Sequence, residues 1–352
     1  LRPFHPELYL QMIDYHLSKS NEEKVINLIK ILSRLTPKWS IVKNLQEAYN
    51  CHLQTFNYAL NKIKISIIII VKNEQSNIHR CLSSLNNIPN KQIVVVDTGS
   101  TDNTVEIVKD FKDTEVYFHK WNNDFSDARN ISLEHARGDW VLILDADEEL
   151  DSQSIHQLEQ DVMKSNVIAY KLPLENIGSP LHGVNYVPRL FRNAPGMHFI
   201  GKIHEQIAAA AMILSKQWEM DICNGKTKIN HYGYQPEHIK DKNKIKRNLS
   251  IYEDALIELH EEPSIMMNYA HDLNHDGQTD NALIIYNRIL QILEQHKAEE
   301  ISPEVREQFI HNYGVVLASN NEMEKLVALM ESRTARDTGP VANVHYMSGL
   351  GL

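Results

Sequence analysis

Four acidic residues, Asp145, Asp147, Glu148 and Glu149, stand directly after the apolar run Trp140-Val141-Leu142-Ile143-Leu144. A chain does not normally set that many carboxylates against the edge of its core unless a cation meets them there. Mg2+ and Mn2+ are hard ions, held by one or two protein carboxylates with substrate phosphates and water completing the shell. A solvated strand end with capping acids would give the same short, common Asp-Ala-Asp spacing. Its place after a buried strand favours the metal. A second acid, Asp97, closes the run Gln92-Ile93-Val94-Val95-Val96 and precedes Gly99-Ser100. A carboxylate there can accept hydrogen bonds from a ribose hydroxyl or a base N–H. Ser100 and Thr101 are on hand to cap the following helix, so Asp97 is expected to serve a ligand.

Those acids need elements that hold them on one edge. Ile65–Val71 is a nearly unbroken β-branched run and predicts a strand buried on both faces. Ile78, Cys81, Leu82 and Leu85 then recur at helical spacing. Gln92–Val96 is a second strand, and Val105, Val108 and Phe111 mark a second helix. Glu115–His119 is a third strand. Ser126–Ala136 reads as a helix, with Gly138 as its left-handed stop, before the fourth strand at Trp140–Leu144. Strands alternating with helices predict an α/β fold with a parallel sheet and ligands at the strands' carboxyl ends. From Val167 to Tyr234 the pattern turns to short β segments (Val167–Leu172, Tyr186–Phe191, Phe199–His204, Thr227–His231), a mixed extension of that sheet. After Pro236 it is helical. Tyr269, Ala270, Leu273, Ala282 and Tyr286 match the small–large spacing of a tetratricopeptide unit. Tyr313, Gly314, Leu317, Leu326 and Met330 repeat it at a wider interval, which predicts extra helix around Gln295–Pro303. Val25, Ile29, Leu32 and Pro37 echo half a unit, and Asn343–Tyr346 hints at another. Generic helical hairpins would fit about as well. The resulting division is 1–62 helical, 63–235 α/β, 236–352 helical and repeat-like.

The chain has 352 residues and a formal charge of −10, made of +3, −5 and −8 over those three segments. This balance argues against a nucleic-acid partner and a polybasic membrane patch. The longest apolar run is too short to span a bilayer, and no secretory leader is visible. Three cysteines, with no C-x-x-C pair, exclude a disulfide framework and a thiolate zinc site, and predict a cytoplasmic location.

Val71-Lys72-Asn73-Glu74, Val95-Val96-Asp97-Thr98-Gly99-Ser100-Thr101-Asp102 and Asp145-Ala146-Asp147 together resemble the inverting family 2 glycosyltransferases of the GT-A fold. Asn123–Asn130 and Gly138-Asp139-Trp140 add to the likeness, which covers roughly residues 63–235. The resemblance implies a Rossmann-like nucleotide-sugar-binding domain whose donor lies across the strand ends. Asp97 would hold uracil or ribose and Asp145 the ribose. Asp147 would hold the Mg2+ or Mn2+ that bridges the diphosphate. Val71, Glu74 and Ala146 would line the donor pocket. Arg129 would reach the base or diphosphate; a surface salt bridge on its helix is the competing reading.

Phe199–Gln206 and Asn230–His238 narrow the likeness to sublancin-type transferases that add sugars to bacteriocin peptides and carry a helical, repeat-like C-terminus. In that setting His231, at a strand end, is a candidate third metal ligand. Glu205 is the expected general base, which takes the proton of the attacking hydroxyl or thiol. His204 is its runner-up, and a strand-edge ion pair of Glu205 with Lys202 is the plain alternative. The family's usual Glu-Asp pair and Gln-x-x-Arg-Trp motif are missing after Asp147. Lys240–Asn248 carries five cations. Lys244 and Arg247 share a helix face that would meet phosphate, unless it is simply solvated, and Arg189 and Arg192 are weaker candidates. The expected donor is a UDP-sugar (UDP-glucose, UDP-galactose or a UDP-N-acetylhexosamine). The expected acceptor is a Ser, Thr or Cys of a peptide, with a cell-envelope glycan as the alternative. A homodimer through the helical regions is a further expectation. A repeat scaffold with a non-catalytic sugar-nucleotide domain is disfavoured by the intact acids at 97, 145 and 147.

Overall fold

Helices α1 (Pro6–Ser18), α2 (Glu22–Leu35) and α3 (Ser40–Ala48) come first. Strand β1 (Ile65–Val71), helix α4 (Ile78–Ser84), β2 (Lys91–Asp97), α5 (Thr104–Lys109), β3 (Thr114–Phe118), α6 (Phe125–His135) and β4 (Trp140–Ile143) then alternate. β5 (Glu148–Leu150), α7 (Ile155–Val162), β6 (Val167–Asn176), β7 (Val184–Arg192), α8 (Ala208–Trp218), β8 (Asp221–Asn224) and β9 (Ile229–His231) follow. The computed structural model describes residues 2–51, 63–178, 184–233, 242–259, 262–297 and 300–338, in two units, Leu1–Ile239 and Lys240–Leu352.

Among the described residues of the first unit, nine strands form one sheet, ordered β3-β2-β1-β4-β7-β6-β9-β5 with β8 beside β6. β1 to β4 are mutually parallel, with Ile67 opposite Ile93 on one side and Leu142 on the other. Alternation along β1 explains its all-apolar sequence. Ile65, Ile67, Ile69 and Val71 enter the core lined by α4, α5 and α7, through Cys81, Leu82, Val108 and Leu158. Ile68 enters the opposite core with Leu133 of α6, Leu214 of α8, and Ile13, Val25, Ile29, Leu32 and Val42 of α1–α3. The N-terminal helices therefore share a core with the sheet.

Ser66, the polar break in β1, is fully buried and satisfied. Its hydroxyl donates to Gln92 Oε1 at 2.7 Å and accepts from Arg137 N and Gly138 N at 3.1 and 2.8 Å. Gly138 is not the helix stop expected of it, since α6 ends in an extended Ala136. What requires glycine is closeness: a Cβ there would lie 2.5 Å from Ser66 N and 2.8 Å from Lys64 O.

The sheet turns antiparallel at β4–β7, where Val141 faces Phe191. β6 and β7 form a long hairpin, and β9 runs parallel to β6. Short β5 pairs antiparallel with β9, setting Glu148 opposite His231. Two expectations in this region fail. Phe199–His204 is a loop carrying a single bridge, Ile200 to Gln206, because Gly201 and His204 both take positive φ. Ala208–Trp218, an alanine-rich stretch, is a helix that the β-segment reading passed over.

The second unit contains α9 (Lys242–Leu259), α10 (Pro263–His275), α11 (Thr279–Gln295), α12 (Pro303–Ser319), α13 (Met323–Met330) and α14 (Arg333–Thr338). Ala270, Leu273, Ala282 and Tyr286 are buried where α10 packs on α11, and Tyr313, Leu317 and Leu326 where α12 packs on α13. Tyr286 and Tyr313 stack with centroids 5.1 Å apart. The extra helix expected around Gln295–Pro303 is absent from the described residues there; the wider interval is taken up by α11 and α12, both 17 residues long. Asn343–Tyr346 lies outside the described residues.

Candidate active site

Parallel pairing brings Val71, Asp97 and the residues after β4 to the same edge of the sheet. The two loops that leave β1 and β2 hold each other. Val71 O accepts from Thr98 N and Oγ1 at 2.9 and 3.1 Å. Asn73, at φ +57°, donates its N–H to Ser100 Oγ at 2.9 Å and accepts from Thr101 N on Oδ1 at 2.7 Å. Glu74 N donates to Thr104 Oγ1 at 2.7 Å, and Glu74 Oε2 accepts from Asn77 at 2.9 Å. Ser100 and Thr101 therefore face the first loop rather than cap α5, which begins at Thr104. Asp97 is buried, and its carboxylate accepts from Gly99 N and Ser100 N at 3.0 and 3.1 Å, so it shapes its own turn.

Beyond β4 the acids and arginines alternate in a chain. Glu148 Oε1 accepts from Arg189 of β7 at 2.6 Å, and the same Nη2 reaches Asp145 Oδ2 at 3.0 Å. Asp145 Oδ1 accepts from Arg129 of α6, whose Nε donates to Glu205 Oε1 at 3.1 Å. Arg129 is only 2% exposed, so its competing reading as a surface salt bridge fails. Glu148 also accepts from Asp145 N at 2.8 Å. Burial opposes charge on Asp145, yet Arg189 and Arg129 together hold its carboxyl well below the usual range. Burial pushes Glu148 the other way, upward, with Arg189 opposing and Asp145 reinforcing. Glu205 engages Arg129, not the Lys202 of the alternative reading, and it lines a cleft of about 490 Å³ with Asp145, Arg189, His204 and Phe199. His204 is exposed at φ +54° on the same loop.

Asp147 has another partner. His231 Nε2 lies 3.5 Å from Asp147 Oδ2, and its Nδ1 sits 2.8 Å from Asn176 Oδ1. Burial disfavours the imidazolium, but hydrogen bonding to Asp147 and the neighbouring acids raise its pKa overall. No cluster of three His, Cys, Asp or Glu ligands occurs among the described residues. The pair nevertheless fits a divalent ion that shares its shell with phosphate and water. A proton kept on Nδ1 by the Asn176 carbonyl oxygen would leave Nε2 free to ligate once an ion displaces the proton it shares with Asp147.

Val71, Glu74, Asp97, Arg129, Asp145, Ala146, Asp147, His204, Glu205 and His231 thus all belong to the first unit, at or beside the carboxyl edge of β1, β2 and β4. Lys244 and Arg247 belong to α9, in the second unit, and their phosphate contact stays an expectation. Tyr234–His238 of the second motif lie outside the described residues. Arg189, a weak phosphate candidate in the sequence, is instead the clamp on two acids; a charge inside the apolar stretch Val187–Phe191 was the available signal. Arg192 stacks on Trp140 at 4.1 Å and caps the carbonyls of Lys164 and Val167, a structural task. Tyr232 was missed: its hydroxyl donates to Glu149 Oε2 at 2.8 Å, and Arg80 lies over its ring.

A parallel sheet with acids at its strand ends and an antiparallel extension carrying a histidine is the α/β arrangement that the resemblance to the GT-A fold implied. Residues 66–202 match the model of glycosyl transferase family 2, so this stretch carries a domain of that family. The SPbeta prophage-derived glycosyltransferase SunS of Bacillus subtilis strain 168 is 31% identical over 222 residues, 61% of this chain and 50% of SunS. A TPR repeat-containing protein of Synechococcus elongatus is 30% identical over 187 residues, 52% of this chain and 46% of its own. The chain spans about half the length of these curated relatives. A crystal structure of S. aureus TarS 1-349 covers 82% of this chain and 90% of its own, at 16% identity and a TM-score of 0.43. Among the described residues no helix is long and apolar enough to cross a membrane.

Proposed function

We propose that this chain is a metal-dependent, inverting hexosyltransferase, which moves a hexose from a UDP-sugar to a Ser, Thr or Cys side chain of a peptide. One observation carries the reading: Arg129 joins Asp145, at the donor edge of the sheet, to Glu205, on the wall of the adjoining cleft. Donor and base are thereby held by one buried side chain. Asp97 accepts from uracil or ribose and Asp145 from the ribose, beside Val71, Glu74 and Ala146. Asp147 and His231 hold Mg2+ or Mn2+, which when bound offsets charge on the departing diphosphate.

Glu205 uses one oxygen for Arg129, and its other oxygen has no hydrogen-bond partner among the described residues. That oxygen takes the acceptor's proton as the acceptor's oxygen or sulfur bonds to the anomeric carbon from the far face. The bond from that carbon to the diphosphate oxygen breaks, and UDP leaves with its electron pair. His204 is the second choice of base. A Cys acceptor asks less of either, since a free thiol has a pKa of about 8.5.

The test follows the donor, then the acceptor. UDP-sugar hydrolysis without acceptor should need Mn2+ or Mg2+ and vanish in Asp147→Ala; activity unchanged in EDTA rejects the metal. Glu205→Gln should keep UDP binding by calorimetry and lose transfer to candidate peptides, read as hexose adducts by mass spectrometry. Wild-type turnover in that variant removes Glu205 as base.

A further inference from the structure

We infer that Arg80 and Tyr232 form a latch that holds His231 towards Asp147, so that two side chains that donate no atom to the ion govern how tightly it binds. The inference rests on the metal reading proposed above.

Tyr232 follows His231 at the end of β9 and is tied back to the acidic turn at both its ends. Its N–H donates to Asp147 O at 3.1 Å, and its hydroxyl donates to Glu149 Oε2 at 2.8 Å. The ring is covered by the Arg80 guanidinium, whose carbon lies 3.9 Å from the ring centre. Buried Arg80 Nε has no hydrogen-bond partner among the described residues, and Nη2 reaches Asn77 Oδ1 at 3.3 Å. The aromatic face is therefore the main thing that holds this cation. Asn77 in turn donates to Glu74 Oε2 at 2.9 Å, in the first loop. A continuous set of contacts thus runs from the loop after β1, through α4, to the histidine.

Space is as tight as bonding. A Cβ on Gly233 would stand 2.6 Å from His231 Nε2 and 3.0 Å from Asp147 Oδ2. The backbone after Tyr232 therefore closes directly over the gap between the two candidate ligands. On the other side Asn176 and Ile177 N hold His231 by its Nδ1 and its carbonyl, both at 2.8 Å. The ring is held from β6 at Nδ1, and the backbone that carries it is tied to the acidic turn through Tyr232. Removal of that tie would leave the histidine attached but no longer aimed, and metal affinity depends on such aim.

The experiment titrates Mn2+ into the full chain with saturating UDP and reads free Mn2+ by electron paramagnetic resonance. UDP affinity is measured separately in EDTA. Arg80→Met and Tyr232→Leu are expected to weaken Mn2+ binding by about 10-fold or more. Tyr232→Phe keeps the ring beneath Arg80 and is expected to lose less. All three should keep their UDP affinity in EDTA. Mn2+ affinity within twofold of wild type in Arg80→Met and Tyr232→Leu overturns the latch and leaves the metal reading standing. Equal losses of Mn2+ affinity and of metal-free UDP affinity also overturn it, because they report general packing. A wild-type chain that binds no Mn2+ overturns the metal reading and the latch with it.

Discussion

Arg189→Met isolates the clamp on the acidic turn. Arg189 Nη2 contacts Asp145 and Glu148 at 3.0 and 2.6 Å, and Glu148 is 1% exposed. Taking one partner from a buried ion pair costs about 3–5 kcal/mol, because the other charge is left without compensation. Here the lower end applies. Asp145 keeps Arg129, and Glu148 keeps the hydrogen bond from Asp145 N. Methionine also refills most of the space of the arginine stem, which limits any cavity contribution. All four tryptophans, at 39, 121, 140 and 218, lie in the first unit. Their fluorescence in urea therefore reports that unit's unfolding. With a urea slope near 3 kcal/mol/M for a unit of this size, a loss of about 3 kcal/mol moves the midpoint down by about 1 M. Glu148→Gln added to Arg189→Met removes the stranded charge and should recover about 2 kcal/mol, the signature of coupling in a double-mutant cycle. A single variant within about 0.5 kcal/mol of wild type refutes the reasoning. So does a double variant less stable than the single one.

Two further substitutions test the packing that carries the site. Gly138→Ala drives a methyl into the backbone of Lys64 and Ser66, which cannot move aside as a side chain would; a loss of about 1–3 kcal/mol is expected in the same fluorescence assay, and wild-type stability argues that β1 and the α6–β4 turn are not in contact. Tyr286→Ala empties a fully buried position stacked on Tyr313 in the second unit. On the order of 3–5 kcal/mol should be lost, visible as helix melting at lower urea by circular dichroism; an unchanged helical transition refutes that core.

Much of the first unit could be read from the chain because its signals are local. Runs such as Ile65–Val71 and Gln92–Val96 have no other stable use than central strands, and parallel pairing then sets their carboxyl ends together. Readings failed where the deciding contact was remote in sequence. Ser100 has every local qualification for a helix cap, but Asn73 is 27 residues away and takes its hydroxyl first. Gly138 has the look of a helix stop, while its need for glycine comes from a strand more than 70 residues earlier. Phe199–His204 has strand-like composition, but Gly201 and His204 bend it into the wall of the cleft. Local propensity is a weak prior where a single tertiary contact outweighs it.

The acids of the site follow the same rule, and here the outcome alters the chemistry. The negative charge of residues 63–235 first suggests that their carboxylates await a metal. Two arginines, Arg129 buried and Arg189 partly so, already answer three of them, Asp145, Glu148 and Glu205, and both reach Asp145. The demand for an added cation therefore contracts from a whole acidic turn to one point, Asp147 with His231. This separates two functions that the sequence runs together. The arginine chain holds Glu148, Asp145 and Glu205 together whether or not an ion is bound, and its loss should appear as lost stability. On the proposed reading the Asp147–His231 pair answers charge that arrives with the diphosphate, and its loss should appear only when that ligand is present. A single acidic tripeptide thus serves both tasks, because Asp145 and Asp147, two residues apart, reach different partners: Asp145 the arginines of α6 and β7, Asp147 the end of β9.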